Sequence, residues 1–314
     1  MWFDVTIKKI ALLGGRGYVG QELLRLIASH EIFTISSVYS SSHAGKIVDD
    51  NLYGNLLFQN LSLECIDLID ADAYILALPN DQSEPYVELI NTHNPDAKII
   101  DISADHRFDD SWEYRIPELS QSHNNSRISN PGCYASAMQF MLAPIKNKLV
   151  GTVNFFGVSG YSGAGASLNA RNNPQNQKNN IIPYSMISHL QEKEVQAHTD
   201  VTIFFTPHVG NFFRGILITG NFILSDKLSV KDVIELYDDF YHYKDLIQIQ
   251  RTPPFISEVQ NTSNVILGGF DIDFNFNRLT FCCVLDNLLK GAATQALQNL
   301  NSAFGLNDNH GIIT

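Results

Sequence analysis

The chain alternates between short, wholly apolar runs and segments that carry one apolar stripe. Lys9–Leu13 (KIALL) is a continuous apolar run ending in glycines, the pattern of a strand covered on both faces of a parallel sheet. Tyr18–Ala28 then sets Val19, Leu23, Leu24, Leu26 and Ile27 at helical spacing along one face. Phe33–Tyr39 is β-branched and aromatic and reads as a second strand. Ala73–Leu78 reads as a third strand, stopped by Pro79, and Lys98–Ser103 as a fourth. The helix between them is expected to begin near Asp81, an N-cap type of residue. This βαβ rhythm, over roughly the first 130 residues, predicts an α/β fold with a Rossmann-type, doubly wound parallel sheet.

The texture changes after Pro131-Gly132. A helix is expected through about Leu149, followed by strands at Thr152–Val158, Val201–Phe205, Gly215–Leu224 and Arg278–Val284. Together they suggest a second, α+β domain with a mainly antiparallel sheet and one open face, which would pair with another subunit. Asn172–Asn180 (NNPQNQKNN) is polar and of low complexity, and reads as an exposed loop or mobile segment. The last helix, Ala292–Phe304, places Ala296, Leu297 and Leu300 on its apolar face. The expected division is residues 1–132 with 288–314 as the cofactor domain, and 133–287 as the catalytic, substrate and subunit-contact domain.

Composition narrows the function classes. With 314 residues, 44% of them hydrophobic and 17% charged, the chain can bury large cores. A formal net charge of −12 argues against nucleic acid or an anionic membrane as partner, but not against a small anionic substrate held by a few arginines. No apolar run reaches the roughly 18 residues a bilayer requires. Met1–Lys9 has no signal-peptide core, and Cys65, Cys133, Cys282 and Cys283 have neither zinc nor disulfide spacing. A reduced, cytoplasmic protein without a metal is expected.

Two segments carry chemistry. Gly14-Gly15-Arg16-Gly17-Tyr18-Val19-Gly20 joins the first strand to the first helix. Backbone without Cβ can approach a pyrophosphate there, while the helix N-terminus offers free N–H groups. Such turns also occur without a ligand; the position between a buried strand and an amphipathic helix favours a dinucleotide. The second strand ends in Ser40-Ser41-Ser42-His43 rather than Asp or Glu, so a ribose 2′-phosphate is tolerated and NADP is favoured over NAD. The other segment is Asn130-Pro131-Gly132-Cys133-Tyr134-Ala135, which puts a cysteine at a helix start behind a Pro-Gly turn. The positive end of a helix favours a thiolate, and a thioester is a good hydride acceptor. Cys65, Cys282 and Cys283 lie in apolar stretches without such a turn and read as inert.

Taken together, these residues resemble the N-acetyl-gamma-glutamyl-phosphate reductase family of arginine biosynthesis. That family is related to aspartate-semialdehyde dehydrogenase and, more distantly, to glyceraldehyde-3-phosphate dehydrogenase. The likeness rests on GGRGYVGQELLRLI (14–27), HAGK (43–46), DISADHRF (101–108), IPEL (116–119) and NPGCYASA (130–137). It continues in SGYSGAG (159–165), FTPHVGNFFRGI (204–216) and DNLLKGAATQALQNLN (286–301). The resemblance implies a homo-oligomeric enzyme, dimer or tetramer, in which Cys133 displaces phosphate from a small-molecule acyl phosphate. NADPH, held at Gly14, Gly17, Tyr18, Val19 and Gly20 with Ser40 and Ser42, then reduces the thioester to an aldehyde. Alignment to the family's HRHxPEI segment implies His189 as acid–base, with His208 the rival. Arg107 and Arg214 are candidates for holding substrate anions, and Ser159, Ser162 and Gly163 for binding phosphate through backbone N–H groups. Asn287 and Lys290 are expected to face the cofactor, unless Lys290 only snorkels at the surface.

The sequence also departs from that pattern. The family's HRH reads His189-Leu190-Gln191, the arginine after SGAG is Ala166, the histidine after the third strand is Asn80, and the serine-flanked arginine after the second strand is Ser41. These changes leave open a related acyl phosphate (aspartyl, aminoadipyl or carrier-borne) and a catalytically silent NADP-binding homologue.

Overall fold

The computed structural model describes residues 6–64, 70–121 and 125–312; Met1–Val5 and Cys65 lie outside them. The chain divides into two compact units, one running to Pro131 and resuming at Ala292, the other Gly132–Gly291.

The first unit opens with β1 (Lys8–Leu13), α1 (Tyr18–Ala28), β2 (Phe33–Ser40), a single turn α2 (Asp50–Tyr53) and β3 (Phe58–Asn60). It continues with β4 (Ala73–Leu76), α3 (Glu84–His93), β5 (Lys98–Asp101), β6 (Glu113–Tyr114) and β7 (Arg127–Ser129). These strands form one parallel sheet in the order β3-β2-β1-β4-β5-β7-β6. Alternation along β1 explains its unbroken apolar sequence. Ile10 and Leu12 pack with α1 and the C-terminal helix (Thr294–Ala303) on one face. Ala11 and Leu13 pack with Tyr74, Val87 and Ile90 on the other.

Helix α3 starts three residues later than Asp81. Asp81 has φ +64, and its N–H, with those of Gln82 and Ser83, donates to the Asp105 carboxylate at 2.7, 3.0 and 2.9 Å. The cap comes from the loop after β5, so no local residue marks the start. The third and fourth strands also stop at Leu76 and Asp101, short of Leu78 and Ser103.

That loop, DISADHRF, is a buried polar knot. Asp101, fully buried, accepts from Ser83 Oγ (3.0 Å) and Ser103 Oγ (2.8 Å) and lies 2.6 Å from His106 Nδ1. His106 Nε2 lies 2.8 Å from Glu84, and the ring stacks on Trp112. Burial pulls the His106 pKa down, but the hydrogen bonds and charges of Asp101 and Glu84 outweigh it and leave it raised above 6.5.

The second unit begins with α4 (Cys133–Leu142), whose residues from Tyr134 to Leu142 are all buried, as expected of a helix apolar on every side. It does not continue to Leu149: a short 3-10 turn, Lys146–Lys148, intervenes. Then follow β8 (Val153–Gly160), α5 (Pro174–Gln177), β9 (Ile181–Pro183), α6 (Leu190–Thr199), β10 (Ile203–Gly210) and β11 (Ile216–Ile223). Helix α7 (Val230–Tyr241) and strands β12 (Ile247–Gln250), β13 (Val265–Asp273) and β14 (Arg278–Leu285) complete it. The sheet order is β12-β13-β14-β11-β8-β10-β9; only β12–β13 and β8–β10 are parallel, so it is mixed and mainly antiparallel. Tyr237 and Tyr241 of α7 donate to the carbonyls of Met141 and Phe140, serving the C-terminal end of α4.

Two segments differ from the sequence expectation. Asn172–Asn180 is not a plain exposed loop: it contains α5, and Gln177 is buried. The final helix is entered through a π-turn, Leu289–Ala293. No helix among the described residues is long and apolar enough to cross a membrane.

The His106 pair gives a stability test. A raised folded pKa means that its contribution is complete below 6.5 and is lost as pH rises through the folded value. His106→Leu, which leaves Asp101 buried and unpaired, is expected to cost about 3–5 kcal/mol at pH 6. Urea unfolding at pH 6 and pH 9 checks this; coincident midpoints at pH 6 would refute it.

Candidate active site

In the first unit the glycine turn is set by its own packing at three of its four glycines. Gly14 has φ +85, and a Cβ there would run into the Ala77 carbonyl. A Cβ on Gly15 would strike Val38, and one on Gly20 would lie 2.6 Å from the Gly14 carbonyl oxygen. Gly17 is different. Its φ of −63 suits any residue, and a Cβ there would meet only the Gly14 oxygen at 3.5 Å. Nothing within the turn requires glycine at 17, so the bare backbone fits close approach by a ligand. Gly17 is also the N-cap of α1 and supplies no side-chain cap. Tyr18 and Val19, half-buried, form the first turn of that helix. At the end of β2, Ser40 is buried and its Oγ accepts from the Ser42 N–H (3.3 Å). Ser42 is exposed, with its Oγ 3.1 Å from His43 Nδ1. The two hydroxyls and the imidazole thus lie together at the end of β2.

In the second unit Cys133 is the first residue of α4 and is partly exposed. The helix mouth is clamped by α6. The fully buried Glu194 accepts the Gly132 N–H at 2.8 Å, and Gln191 accepts the Ala135 N–H at 2.9 Å. The positive end of the helix is therefore met by a carboxylate as well as a thiol. Gln191 stands where the resembled family has its second histidine, and this bond is its use. On the other side Gly291, in the π-turn, lies so close that a Cβ there would be 2.7 Å from Cys133 Cβ.

His189 is the N-cap of α6. Its Nδ1 accepts the Gln191 N–H at 3.2 Å, which leaves the proton of the neutral ring on Nε2. Burial, with the positive charge of Arg171 adding to it, pulls its pKa down to about 4. Its ring sits among Tyr184 (5.5 Å), Phe205 (5.3 Å) and Tyr134 (6.3 Å). Tyr134 and Tyr184 both feel the charge of Cys133, and burial pushes Tyr184 up to about 12. Cys133 and His189 thus share one aromatic surround. His208 does not. It is three residues from Phe205 on β10, hence on the opposite face, where its ring lies 4.6 Å from the exposed Phe156.

The expected anion sites are largely engaged. Arg214 forks onto Asp286, with Nε 2.6 Å from Oδ2 and Nη2 3.1 Å from Oδ1, and reaches Asn261 with Nη1 (2.7 Å). Arg107 donates to the carbonyls of Asn130 (3.0 Å) and Ile102 (2.9 Å). Asn287 accepts from Gly215 N–H (2.7 Å) and donates to Ser162 Oγ (2.9 Å). The N–H groups of Gly160, Tyr161 and Ser162 are taken by the carbonyls of Gly215, Phe212 and Phe213. Ser159 Oγ donates to the Gly160 carbonyl and would lie 2.9 Å from a Cβ on the exposed Gly163. So Ser159, Ser162, Gly163 and Asn287 do come together against the 212–215 turn, while the Arg214 side chain is bonded to Asp286 and Asn261. Lys290 is fully buried over the Phe140 ring at 5.6 Å, and does not snorkel. Cys283 is buried, which pushes its thiol pKa up. Among the described residues no group of three His, Cys, Asp or Glu side chains is placed to hold a metal.

The sequence reading missed Gln191, Glu194, Gly291, Tyr184 and Arg171. Tyr184, Gln191 and Glu194 had a signal, as the tyrosine ahead of the aligned histidine, the second histidine's position and the glutamate of the aligned HRHxPEI segment; Gly291 and Arg171 had none.

Residues 9–127 match the family model of the semialdehyde dehydrogenase NAD binding domain, and residues 133–287 that of the semialdehyde dehydrogenase dimerisation domain. The fold is likewise that of solved aspartate semialdehyde dehydrogenases. The Vibrio cholerae enzyme, complexed with ASA, matches with a TM-score of 0.79 at 18% identity, over 95% of this chain and 98% of that one. The Candida albicans enzyme with NADP gives 0.74 at 15% identity, over 95% and 99%. Within that class the sequence is much nearer to one group. N-acetyl-gamma-glutamyl-phosphate reductase of Xanthomonas axonopodis pv. citri is 42% identical over 96% of this chain and 97% of its own length. That of Stenotrophomonas maltophilia is 38% identical over 95% and 96%. The chain belongs to the N-acetyl-gamma-glutamyl-phosphate reductase family.

The turn separates packing from ligand demands. Gly20→Ala should lower the urea midpoint, because its methyl would lie 2.6 Å from the Gly14 oxygen, whereas Gly17→Ala should leave it unchanged. Equal losses in the two variants would contradict this.

Proposed function

We propose that this chain reduces N-acetyl-gamma-glutamyl phosphate to N-acetylglutamate semialdehyde and phosphate, with NADPH as the reductant. The observation that carries the reading is the 42% identity to a reductase of that name over nearly the full length of both chains. Aspartate semialdehyde dehydrogenases share the fold at under 25% identity, which supports no assignment of substrate.

The unit containing the glycine turn is the cofactor domain, and the Cys133 unit holds the substrate. Gly14, Gly17, Tyr18, Val19 and Gly20 hold the pyrophosphate on the open N-terminus of α1. Ser40 and Ser42, with His43 beside them, accept the 2′-phosphate. Cys133 Sγ attacks the acyl carbonyl, the C–O bond to phosphate breaks, and a thioester forms on the enzyme. NADPH, when bound, supplies the hydride that reduces the thioester carbon. The thiohemiacetal oxyanion this leaves accepts a hydrogen bond from His189 Nε2–H; with Nδ1 tied to the Gln191 N–H, the neutral ring is arranged to donate it, and the oxyanion then re-forms its carbonyl. The C–S bond breaks, releasing the aldehyde and the Cys133 thiolate. The exposed Phe156, Phe204 and Ile223 on the open face of the second sheet support a subunit interface there, in a cytoplasmic homo-oligomer.

The test is NADPH formation from N-acetylglutamate semialdehyde and NADP, with and without inorganic phosphate. Turnover should require phosphate, and Cys133→Ser should reduce it at least about a thousandfold. Phosphate-dependent turnover of aspartate or aminoadipate semialdehyde instead would move the substrate assignment; NADP binding with no turnover would make this a silent homologue. His189→Asn keeps an oxygen to cap α6 and should still lower kcat by about 10²–10⁴. Because His189 stays neutral until about pH 4, the acid limb it sets in kcat/KM should lie near 4. A limb at 6.5 would refute the environment described. Gly17→Ala, unchanged in stability, should weaken NADPH binding measured by nucleotide fluorescence.

A further inference from the structure

The polar stretch after SGYSGAG, residues 164–180, is held together by its own amide side chains. Asn169 Nδ2 donates to the carbonyls of Ala164 (3.0 Å) and Ser167 (3.0 Å). Asn172 Nδ2 donates to those of Gly165 (2.9 Å) and Ser167 (2.8 Å), and its Oδ1 accepts the Asn169 N–H at 2.7 Å. Between them sits Arg171. Its N–H is held by Asn169 Oδ1 (3.0 Å) and its carbonyl accepts from the buried Gln177. A polar, irregular segment is thus made into a mount for one arginine.

The mount aims that arginine at the candidate active site. The guanidinium carbon lies 4.8 Å from the centroid of the Tyr184 ring, and the charge interacts with the Tyr184 hydroxyl and lowers the proton affinity of His189. Tyr184 in turn feels the charge of Cys133. Among the described residues no carboxylate pairs with Arg171, unlike Arg214, whose fork is taken by Asp286. A partly exposed guanidinium on a fixed backbone, stacked on Tyr184 and without an acidic partner, suits an oxyanion.

We infer that Arg171, carried on the amide-bonded 164–180 segment, is the residue that anchors an anionic group of the substrate, its carboxylate or its phosphoryl group. The inference rests on the function proposed above. It places the anion-binding charge that Ala166 lacks five residues further along the chain.

The experiment uses the full chain with Arg171→Met and Arg171→Lys, assayed as phosphate-dependent oxidation of N-acetylglutamate semialdehyde. If Arg171 grips the carboxylate, Arg171→Met should raise the KM for the aldehyde at least tenfold and leave that for phosphate unchanged. It should also erase the preference over 4-acetamidobutanal, which lacks the carboxylate. If Arg171 grips the phosphoryl group, the KM for phosphate rises instead. Arg171→Lys should recover part of either loss. In both cases the acid limb of kcat/KM should move upward from about 4 in the Met variant and return towards 4 in Arg171→Lys, which restores the charge. Both KM values within twofold of wild type would overturn the inference. Should wild type itself fail to oxidise the aldehyde, the proposed function falls. Calorimetric titration of wild type and Arg171→Met with N-acetylglutamate and with inorganic phosphate then decides the role of Arg171 separately: equal affinities would refute it.

Discussion

The carboxylate of Glu194 has no exposed surface, and it reaches the backbone N–H that opens the helix of Cys133. A charge buried in this way is tolerated only when its partners are fixed, so the bond is a stiff one. Three residues earlier Gln191 takes a second N–H of the same helix mouth, and two residues before that His189 caps the helix to which both belong. One short helix therefore sets where the thiol starts, how its helix is held and which nitrogen of the imidazole carries the proton. The geometry of the chemistry is in this sense one object: displacing α6 would displace the proposed nucleophile and the proposed acid together.

Around that object the protein allots its cations sparingly. Within its unit Arg214 is spent on Asp286, and Lys290 is buried over a phenyl ring. The surround of His189 is aromatic, and desolvation there keeps the imidazole neutral. A neutral donor held by a helix cap needs no change of charge before it acts, and an oxyanion forming beside it meets little competing water.

What the sequence made legible follows from how locally each feature is determined. KIALL announced a doubly covered strand because both of its faces meet side chains, and the turn after it announced itself because Gly14, Gly15 and Gly20 have no room for a Cβ. The start of α3 was not legible, since its cap is Asp105, some two dozen positions away. Nor was NNPQNQKNN: amide side chains that bond to carbonyls look, as composition, like amide side chains in water. The partners of the expected anion sites were hidden for a related reason. An arginine after two phenylalanines signals burial, but only the fold shows that Asp286 lies opposite it. Gln191 and Asn80 read as losses against the family pattern, yet each bonds a backbone N–H, of Ala135 and of Ala104.

The glycine turn carries one implication for descent. Gly14, Gly15 and Gly20 are demanded by the Ala77 carbonyl, Val38 and the turn itself, whereas Gly17 is demanded by nothing among the described residues. A lineage that ceased to use a dinucleotide would still be held to the first three by folding, and would be released at the fourth. Position 17 is therefore where disuse would first be written, and this chain still has glycine there.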